Sequence, residues 1–289
     1  MAVQATLLPD GRRLHLNHGP IDVIIEAWGT LPEVKSAYDQ AIAAFKSVLG
    51  TLAVELPALR RQLGVVEPVL TGPVARRMLA ACWPHRVGFI TPMAAVAGAV
   101  ADHLLAALIA GRRLNRAYVN DGGDIAFHLS AGESFTCGLV ADLAAPGIDG
   151  KIALAADLPV RGLATSGAAT KGGGRSFSRG IADAVTVLAR DAAAADAAAT
   201  VIANAVDLPG HAAVIRRPAS DLDPDSDLGD YQVTLAVGAL SSDDIDRALG
   251  AGLAEAERLR HAGLIYGAVL VLQRRLVVCG DRTTVARAA

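Results

Sequence analysis

The chain has 289 residues, 52% of them hydrophobic and only 4% aromatic, so it can bury a substantial core built mainly from small side chains. Its formal net charge is -2 and its basic residues are scattered in pairs, which gives no basis for nucleic-acid binding. The three cysteines, Cys82, Cys137 and Cys279, lack metal-ligand spacing and predict free thiols in a reducing compartment.

Short strands and one long helical segment are predicted before residue 90. In chain order, these are a hairpin at residues 6–16, a strand at 21–28, a helical segment at 33–63 and a short helix at 72–83. Gly50 and Pro57 are expected to divide the helical segment, because both residues disfavour a helix interior.

The longest apolar run, residues 89–110, predicts a buried helix rather than a membrane span, because Asp102 interrupts it near the middle. Thr91 as the cap and Pro92 at the first position mark its start. Gly98 costs about 1 kcal/mol relative to alanine, which indicates close approach by backbone or by a ligand. Asp102 lies either at the edge of the helix or directed into a site. Because the N-terminus carries neither a signal sequence nor a lipid anchor, a cytoplasmic protein is expected.

A glycine-rich turn at residues 120–124 lies between strands predicted at 114–119 and 125–129. Two glycines without side chains allow a phosphate or a ring to approach the main chain, and Asn120 and Asp124 offer hydrogen bonds to it. An ordinary Asp-Gly hairpin turn produces the same pattern without any ligand. Both interpretations remain open at this point.

Residues 161–206 contain a strand that ends in Thr-Ser-Gly at 165–167, a glycine-rich basic loop, a second strand and an alanine-rich helix. In that helix, Asp196 and Thr200 lie on one face, roughly 6 Å apart. A carboxylate and a hydroxyl at that spacing can share a hard cation such as magnesium. The alternative needs no metal: Asp191 caps the helix, and Thr200 bonds to the carbonyl four residues earlier.

The remaining elements are predicted from apolar patterning. They are strands at 134–141, 151–155 and 159–164, then a strand at 231–238, a helix at 243–262 and a strand at 265–272, the last three forming a β-α-β-like unit. Residues 221–230 predict an acidic surface loop rather than a calcium loop, because Ser226 and Gln232 replace the glycine and glutamate that such a loop requires.

Taken together, these motifs resemble the ApbE-like superfamily, whose best-known members are FAD:protein FMN transferases. The segments that carry the resemblance occur in the same order, at Gly98–Asp102, 117–124, 164–167, 185–189 and 195–200. They cover about residues 90–206, and the whole chain resembles a branch of uncharacterised cytoplasmic proteins. The resemblance implies an α+β fold in a single domain over residues 1–289, with antiparallel sheets flanked by helices.

The resemblance also implies a flavin-nucleotide cleft with a magnesium site at Asp196 and Thr200, completed by main-chain carbonyl oxygen. The cofactor-binding residues predicted on this basis are Asn120, Gly122, Gly123, Asp124, Thr165, Ser166, Gly167, Ser176 and Ser178. Arg175 and Asp183 are the predicted catalytic residues, and Arg175 is expected to meet phosphate together with Ser176 and Ser178.

Two departures from the transferases affect the predicted activity. This chain has Ala97 where they have a lysine before the helix glycine, and residues 175–183 lack their histidine and have a shortened turn. Arg175 or Arg179 could replace the missing groups, because phosphoryl transfer depends on positioning and cation clamps.

The sequence therefore predicts an FMN-transferase-like or pyrophosphate-cleaving enzyme that uses magnesium and FAD. The alternative is a non-catalytic flavin- or pterin-binding protein, or an enzyme of pterin or one-carbon cofactor metabolism. The expected partner is a small nucleotide or flavin. A homodimer is allowed, and neither nucleic acid nor membrane is expected.

Overall fold

The computed structural model describes residues 2–139, 150–167, 177–280 and 285–287. The chain divides into two compact units that are each assembled from separate segments. The first unit comprises Met1–Phe135, Ala155–Ala164 and Ala189–Ala197, and the second comprises Thr136–Leu154, Thr165–Leu188 and Ala198–Ala289. The expectation of a single domain stays a prediction.

The described residues form helices and antiparallel strands, as predicted. The strands are β1 (Gln4–Leu7), β2 (Leu14–His18), β3 (Ile21–Gly29), β4 (Leu114–Asp121), β5 (Asp124–Leu129), β6 (Ser134–Leu139), β7 (Gly150–Ala155), β8 (Gly162–Ser166), β9 (Ala184–Ala189), β10 (Val214–Pro218), β11 (Gln232–Val237), β12 (Gly267–Leu272), β13 (Arg275–Cys279) and β14 (Val285–Arg287). The helices are α1 (Leu31–Leu59), α2 (Pro73–Cys82), α3 (Val96–Ile109), α4 (Ala192–Ala205) and α5 (Ser242–His261), and a 3₁₀ turn, Pro92–Ala95, precedes α3.

The first unit is an antiparallel sheet covered by helices. Its strands lie in the order β1-β2-β3-β4-β5, and β5 pairs with the beginning of β8 at Gly162 and Leu163. Helix α1 packs against β3, and α3 packs against β4, β5 and α2. Because side chains alternate across a strand, Val23 and Ile25 of β3 share one face, and both are fully buried.

Helix α1 corrects one expectation, because Gly50 and Pro57 do not divide it. The buried residues Ala41, Phe45 and Val48 precede Gly50 and continue beyond it in Leu52, so packing along one face outweighs the low helix propensity of glycine. Pro57 lies in the last turn of the helix, where its missing N–H removes one hydrogen bond without breaking the helix interior.

The second unit contains β9, β12 and β13 in that order, the pair β10-β11, and the sheet β14-β7-β6. Helix α5 packs against β12 and β13. The expected β-α-β-like unit is wrong, because β11 pairs antiparallel with β10 while β12 pairs antiparallel with β9 and β13. The turn at Gln273 and Arg274 joins β12 to β13 and is too short for a parallel connection.

Two helical segments are long and apolar enough to cross a membrane, Leu31–Leu59 and Pro92–Ile109. The core helices of a globular protein meet the same requirements. In the described structure, Pro92–Ile109 buries Val100, Leu104 and Leu108. The expectation that the chain does not associate with membrane stays a prediction.

Candidate functional site

The first turn of α4 donates hydrogen bonds to two aspartates. The nearby residue Asp191 accepts one from the N–H of Ala194 through Oδ1 at 2.7 Å, which confirms its predicted role as the cap. Asp102 of α3 accepts from the N–H of Ala192 through Oδ1 at 3.0 Å and from that of Ala193 through Oδ2 at 2.9 Å. These main-chain groups have no partner within the helix, so both carboxylates stabilise its N-terminus.

A carboxylate of α4 in turn accepts a hydrogen bond from the first turn of α3. Asp196 Oδ2 accepts a hydrogen bond from the N–H of Gly98 at 3.0 Å, and Ala95, which precedes the helix, offers no capping side chain. The helical segment begins at Pro92 with Thr91 before it, as expected, and its first turn is 3₁₀. The α-helical part begins at Val96, where the hydrogen bond from Gly98 to the distant Asp196 could not be read from the local Thr-Pro signal.

Gly98 allows the two helices to meet. A Cβ atom at this position would lie 2.3 Å from the carbonyl oxygen of Ala192 and 2.8 Å from the main-chain nitrogen of Ala193. Of the two explanations that the sequence allowed for this glycine, close approach by backbone is therefore confirmed. The carboxylate of each helix reaches the first turn of the other, and we call this arrangement the reciprocal cap.

Ionisation of the two carboxyl groups of the reciprocal cap, those of Asp196 and Asp102, is unfavourable. Burial raises the pKa of Asp196 to about 7, and the negative charges of Asp121 and Asp102 raise it further against the N–H groups of Gly98 and Ala97. Burial likewise raises the pKa of Asp102 to about 6, with a contribution from a neighbouring carboxylate and opposition from two main-chain N–H groups. A bound cation would favour the ionised form of Asp196 and offset this cost.

The glycine turn between β4 and β5 lies within electrostatic reach of Asp196, because Asp121 at the end of β4 contributes to its raised pKa. Asp121 is buried, and its partner across the turn is Asp124. Asn120 Oδ1 accepts from the N–H of Gly123 at 2.9 Å, while Gly122 and Gly123 have φ of 65° and 111°.

These φ values require glycine for the hairpin itself. No described atom outside the neighbouring residues lies within 4 Å of a Cβ added at either glycine of the turn, so its surface is open. An open turn is compatible with a bound nucleotide as well as with a plain hairpin. The binding role of Asn120, Gly122, Gly123 and Asp124 stays a prediction.

A cation at Asp196 would need hydroxyl and main-chain oxygens as its other ligands. Within the described ranges, no group of three or more His, Cys, Asp or Glu side chains could hold a metal ion. Thr200 lies one turn after Asp196 in α4, and both side chains are partly buried. Carboxylate, hydroxyl and main-chain oxygens are the ligands that magnesium prefers. The metal-binding role of both residues stays a prediction.

In the second unit, the Thr-Ser-Gly segment packs closely. Thr165 Oγ1 lies 2.8 Å from Thr186 Oγ1, and the Thr186 side chain is buried. A Cβ atom at Gly167 would lie 2.3 Å from the carbonyl oxygen of Asp183, so this glycine is required by main-chain packing. Ser166 is partly buried at the end of β8. Nucleotide binding by Thr165, Ser166 and Gly167 stays a prediction.

Ser178 and Asp183 have structural partners. The buried Ser178 donates its hydroxyl to the carbonyl oxygen of Gly180 at 3.4 Å. Asp183 Oδ2 accepts from the N–H of Gln273 at 2.6 Å, in the turn where Gln273 and Arg274 have φ of 44° and 67°. The Asp183 contact stabilises a turn whose backbone non-glycine residues rarely adopt.

The phosphate-binding role of Ser178 and the catalytic role of Asp183 stay predictions. Arg175 and Ser176, predicted to be catalytic and cofactor-binding respectively, lie outside the described residues. The guanidinium carbon of Arg179 lies 4.7 Å from the ring centre of Tyr231, and its main-chain N–H donates to Asn204 Oδ1 at 3.0 Å. The replacement of the missing lysine and histidine by Arg175 or Arg179 therefore stays a hypothesis.

The sequence left Asp102 open between the edge of its helix and a position directed into a site, and it did not indicate that Asp102 accepts from the first turn of α4 or that Asp121 acts on Asp196. The available signal was that Asp102 is the only charged residue inside the apolar helix Val96–Ile109 besides His103. A buried carboxylate must find hydrogen-bond donors, and the first turn of another helix supplies them.

Comparisons with known proteins extend over most of the chain. Residues 5–284 match the sequence model of the protein family described as AbpE bacteria. A UPF0280 protein of Methanothermobacter thermautotrophicus is 34% identical over 175 residues, which cover 56% of this chain and 62% of that relative. A UPF0280 protein of Methanopyrus kandleri is 36% identical over 173 residues, covering 60% of this chain and 66% of the relative. The matched region thus spans less than two thirds of these relatives' length.

A solved structure supports the fold over nearly the whole chain. A mutant of the flavin transferase ApbE from Vibrio cholerae is similar with a TM-score of 0.50 and 10% sequence identity, covering 98% of each chain. At this identity the similarity concerns the fold alone. It confirms the predicted α+β class, and the family model over residues 5–284 confirms the resemblance to ApbE-like proteins.

Proposed function

The chain belongs to the AbpE bacteria family, and we propose that it binds a flavin nucleotide such as FAD together with magnesium in the cytoplasm and acts on the nucleotide's pyrophosphate. The carboxylate of Asp196 and the hydroxyl of Thr200 would hold the cation with main-chain oxygen. One observation carries the proposal: Asp196 is held at the first turn of α3 in surroundings that raise its pKa to about 7. A raised pKa of this kind is typical of functional sites.

The residues around Asp196 have separate tasks. The N–H of Gly98 orients the carboxylate, and Asp121 increases the negative charge that a cation would neutralise. The open turn at Gly122 and Gly123 leaves main chain accessible to a phosphate or a ring. Bound magnesium would neutralise the pyrophosphate and stabilise the charge that develops on the leaving phosphate.

A second candidate function is binding of a flavin or pterin without transfer. The observation that favours it is Ala97, which stands where the transferases have a lysine. In this chain, the main-chain N–H of Ala97 contributes to lowering the pKa of Asp196, and alanine offers no cationic side chain. A binding protein would need the cation and the open turn but no group that drives transfer.

A thermal-shift screen tests the proposal. The wild-type chain and the Asp196→Asn variant are each heated with FAD, FMN, ATP or a pterin, with and without magnesium. We expect FAD with magnesium to raise the melting temperature of the wild type through linkage, and the variant to lose this shift. The control Asp225→Asn removes a carboxylate from an exposed loop and should leave the shift unchanged.

Mass spectrometry separates the two candidate functions. A mass gain equal to FMN less one water on an acceptor protein, with release of AMP from FAD in the presence of magnesium, supports transfer. A thermal shift without such a gain supports binding alone. A wild type that shows no magnesium-dependent shift with any of the four compounds would contradict both functions.

A further inference from the structure

Asp102 lies in the middle of α3 and directs its carboxylate out of that helix. It is buried, and its neighbours Ala101 and Leu104 are fully buried apolar residues. Both carboxylate oxygens are engaged by α4, at 3.0 Å from the nitrogen of Ala192 and 2.9 Å from that of Ala193. Asp102 therefore holds the first turn of a helix that is some 90 residues further along the chain.

In the reciprocal cap, two hydrogen bonds and one turn of each helix connect the two helix starts in a ring. From Ala192, one turn of α4 leads to Asp196, whose carboxylate accepts from the N–H of Gly98. From Gly98, one turn of α3 leads to Asp102, whose carboxylate returns to Ala192. Because one helical turn sets a fixed rise of about 5.4 Å between these positions, we expect a change at either contact to displace the other.

We propose that Asp102 is a positioning residue for the cation site: by holding the first turn of α4, it determines where the carboxylate of Asp196 lies. This inference rests on the proposed function, because it assigns Asp102 a task toward the cation that Asp196 would hold. Asp102 itself uses both oxygens on main-chain N–H groups, so its effect on the cation passes through Asp196. Residues that orient metal ligands typically affect metal affinity by 10- to 100-fold when they are replaced.

A purely structural role for Asp102 makes a different prediction. In that case its loss would lower the stability of the chain but leave Asp196 where it is, because Gly98 alone would hold the carboxylate. The two roles are therefore separated by measurements at Asp196 and Gly98, and not by stability.

The first measurement needs no metal. Amide hydrogen exchange at Gly98 is followed in a chelating buffer for the wild type, Asp102→Ala, Asp102→Asn and Asp191→Ala. Gly98 lies in the first turn of α3, where its N–H has no intrahelical partner, so Asp196 provides its protection. We expect exchange about tenfold faster in Asp102→Ala and an intermediate value in Asp102→Asn, whose remaining carbonyl oxygen can accept one hydrogen bond.

Asp191→Ala is the matched control, since it removes the other carboxylate that accepts from the same turn of α4, at Ala194. Unchanged exchange at Gly98 in Asp102→Ala would overturn the inference, as would an equal increase in Asp191→Ala. If Asp102→Ala does not fold, Asp102→Asn decides the question: amide exchange at Gly98 equal to that of the wild type would overturn the inference.

The second measurement is magnesium affinity, determined by titration calorimetry on the same set of chains. We expect Asp102→Ala to bind magnesium about 10- to 100-fold more weakly than the wild type, Asp102→Asn to recover part of the loss, and Asp191→Ala to match the wild type. Equal affinities in the wild type and Asp102→Ala would overturn the positioning role alone. Absence of magnesium binding by the wild type would overturn the proposed function and the cation role of Asp102, while the exchange experiment still reports whether Asp102 positions Asp196.

Discussion

The first turns of α3 and α4 contact each other, but their main-chain N–H groups donate to different sets of carboxylates. Helix α4 has a local cap, Asp191, and a distant one, Asp102, which together accept from three main-chain N–H groups. Helix α3 begins after Ala95, which cannot cap, and its described side-chain acceptor is Asp196. Two carboxylates thus stabilise the start of α4. The described start of α3 depends on the carboxylate of Asp196, whose pKa is raised to about 7.

This difference separates a carboxylate that positions a helix from one that is available to a cation. Asp102 uses both oxygens on N–H groups, although burial still raises its pKa to about 6. Asp196 accepts from Gly98, while burial and the charges of Asp121 and Asp102 raise its pKa. A bound cation would stabilise its ionised form. The two aspartates are alike in sequence context, and only their partners distinguish them.

Replacing Gly98 should have the largest effect, because it separates the two helix starts. In Gly98→Ala the new Cβ would lie 2.3 Å from the Ala192 carbonyl oxygen, so the helices must move apart. We expect the free energy of unfolding to fall by about 3 kcal/mol, measured by denaturant titration.

The matched control is Gly50→Ala in α1, where a Cβ meets nothing within 4 Å. This change should stabilise the chain by about 0.5–1 kcal/mol through helix propensity. Similar stability changes in the two variants would mean that the close approach at Gly98 does not exist in solution.

The pH dependence of stability should reveal the unfavourable charge on Asp196. Its pKa is raised from 3.8 to about 7 on folding, so between pH 4 and 7 the unfolded chain binds fewer protons than the folded chain. In a chelating buffer the free energy of unfolding should therefore fall as the pH rises through this window. The full shift corresponds to about 4 kcal/mol, and solvent screening of the partly exposed side chain reduces the expected fall to about 1–2 kcal/mol. Asp102, with a pKa raised to about 6, changes stability in the same direction.

The Asp196→Asn variant isolates this contribution, because asparagine does not ionise. Its free energy of unfolding should fall less between pH 4 and 7 than that of the wild type, with the remainder due to Asp102. Identical pH profiles in the two chains would show that Asp196 is not the group that titrates.

Removing the local cap should have the smallest effect. In Asp191→Ala one hydrogen bond to Ala194 is lost, but Asp102 still holds the N–H groups of Ala192 and Ala193. We expect a loss of about 1 kcal/mol in the free energy of unfolding. A loss as large as that in Gly98→Ala would mean that α4 depends on its local cap and that support from Asp102 is minor.

Local patterns were sufficient for much of the fold. The hairpins before residue 20 and at Gly122–Gly123, helix α4 and its cap Asp191 all follow from side chains within a few positions of one another. The continuous course of α1, the start of α3 and the antiparallel partners of β11 and β12 did not follow, because each depends on packing against distant residues.

The sequence by itself determined the fold class, the family resemblance and the pair Asp196 and Thr200 on one helix face. The tertiary structure alone decided that Asp196 reaches Gly98, that Asp102 reaches Ala192 and Ala193, and that Asp121 carries its charge toward Asp196. The physical reason is that helical and turn patterns come from interactions over a few residues, whereas the energy of a buried carboxylate depends on every charge and donor that the fold brings near it.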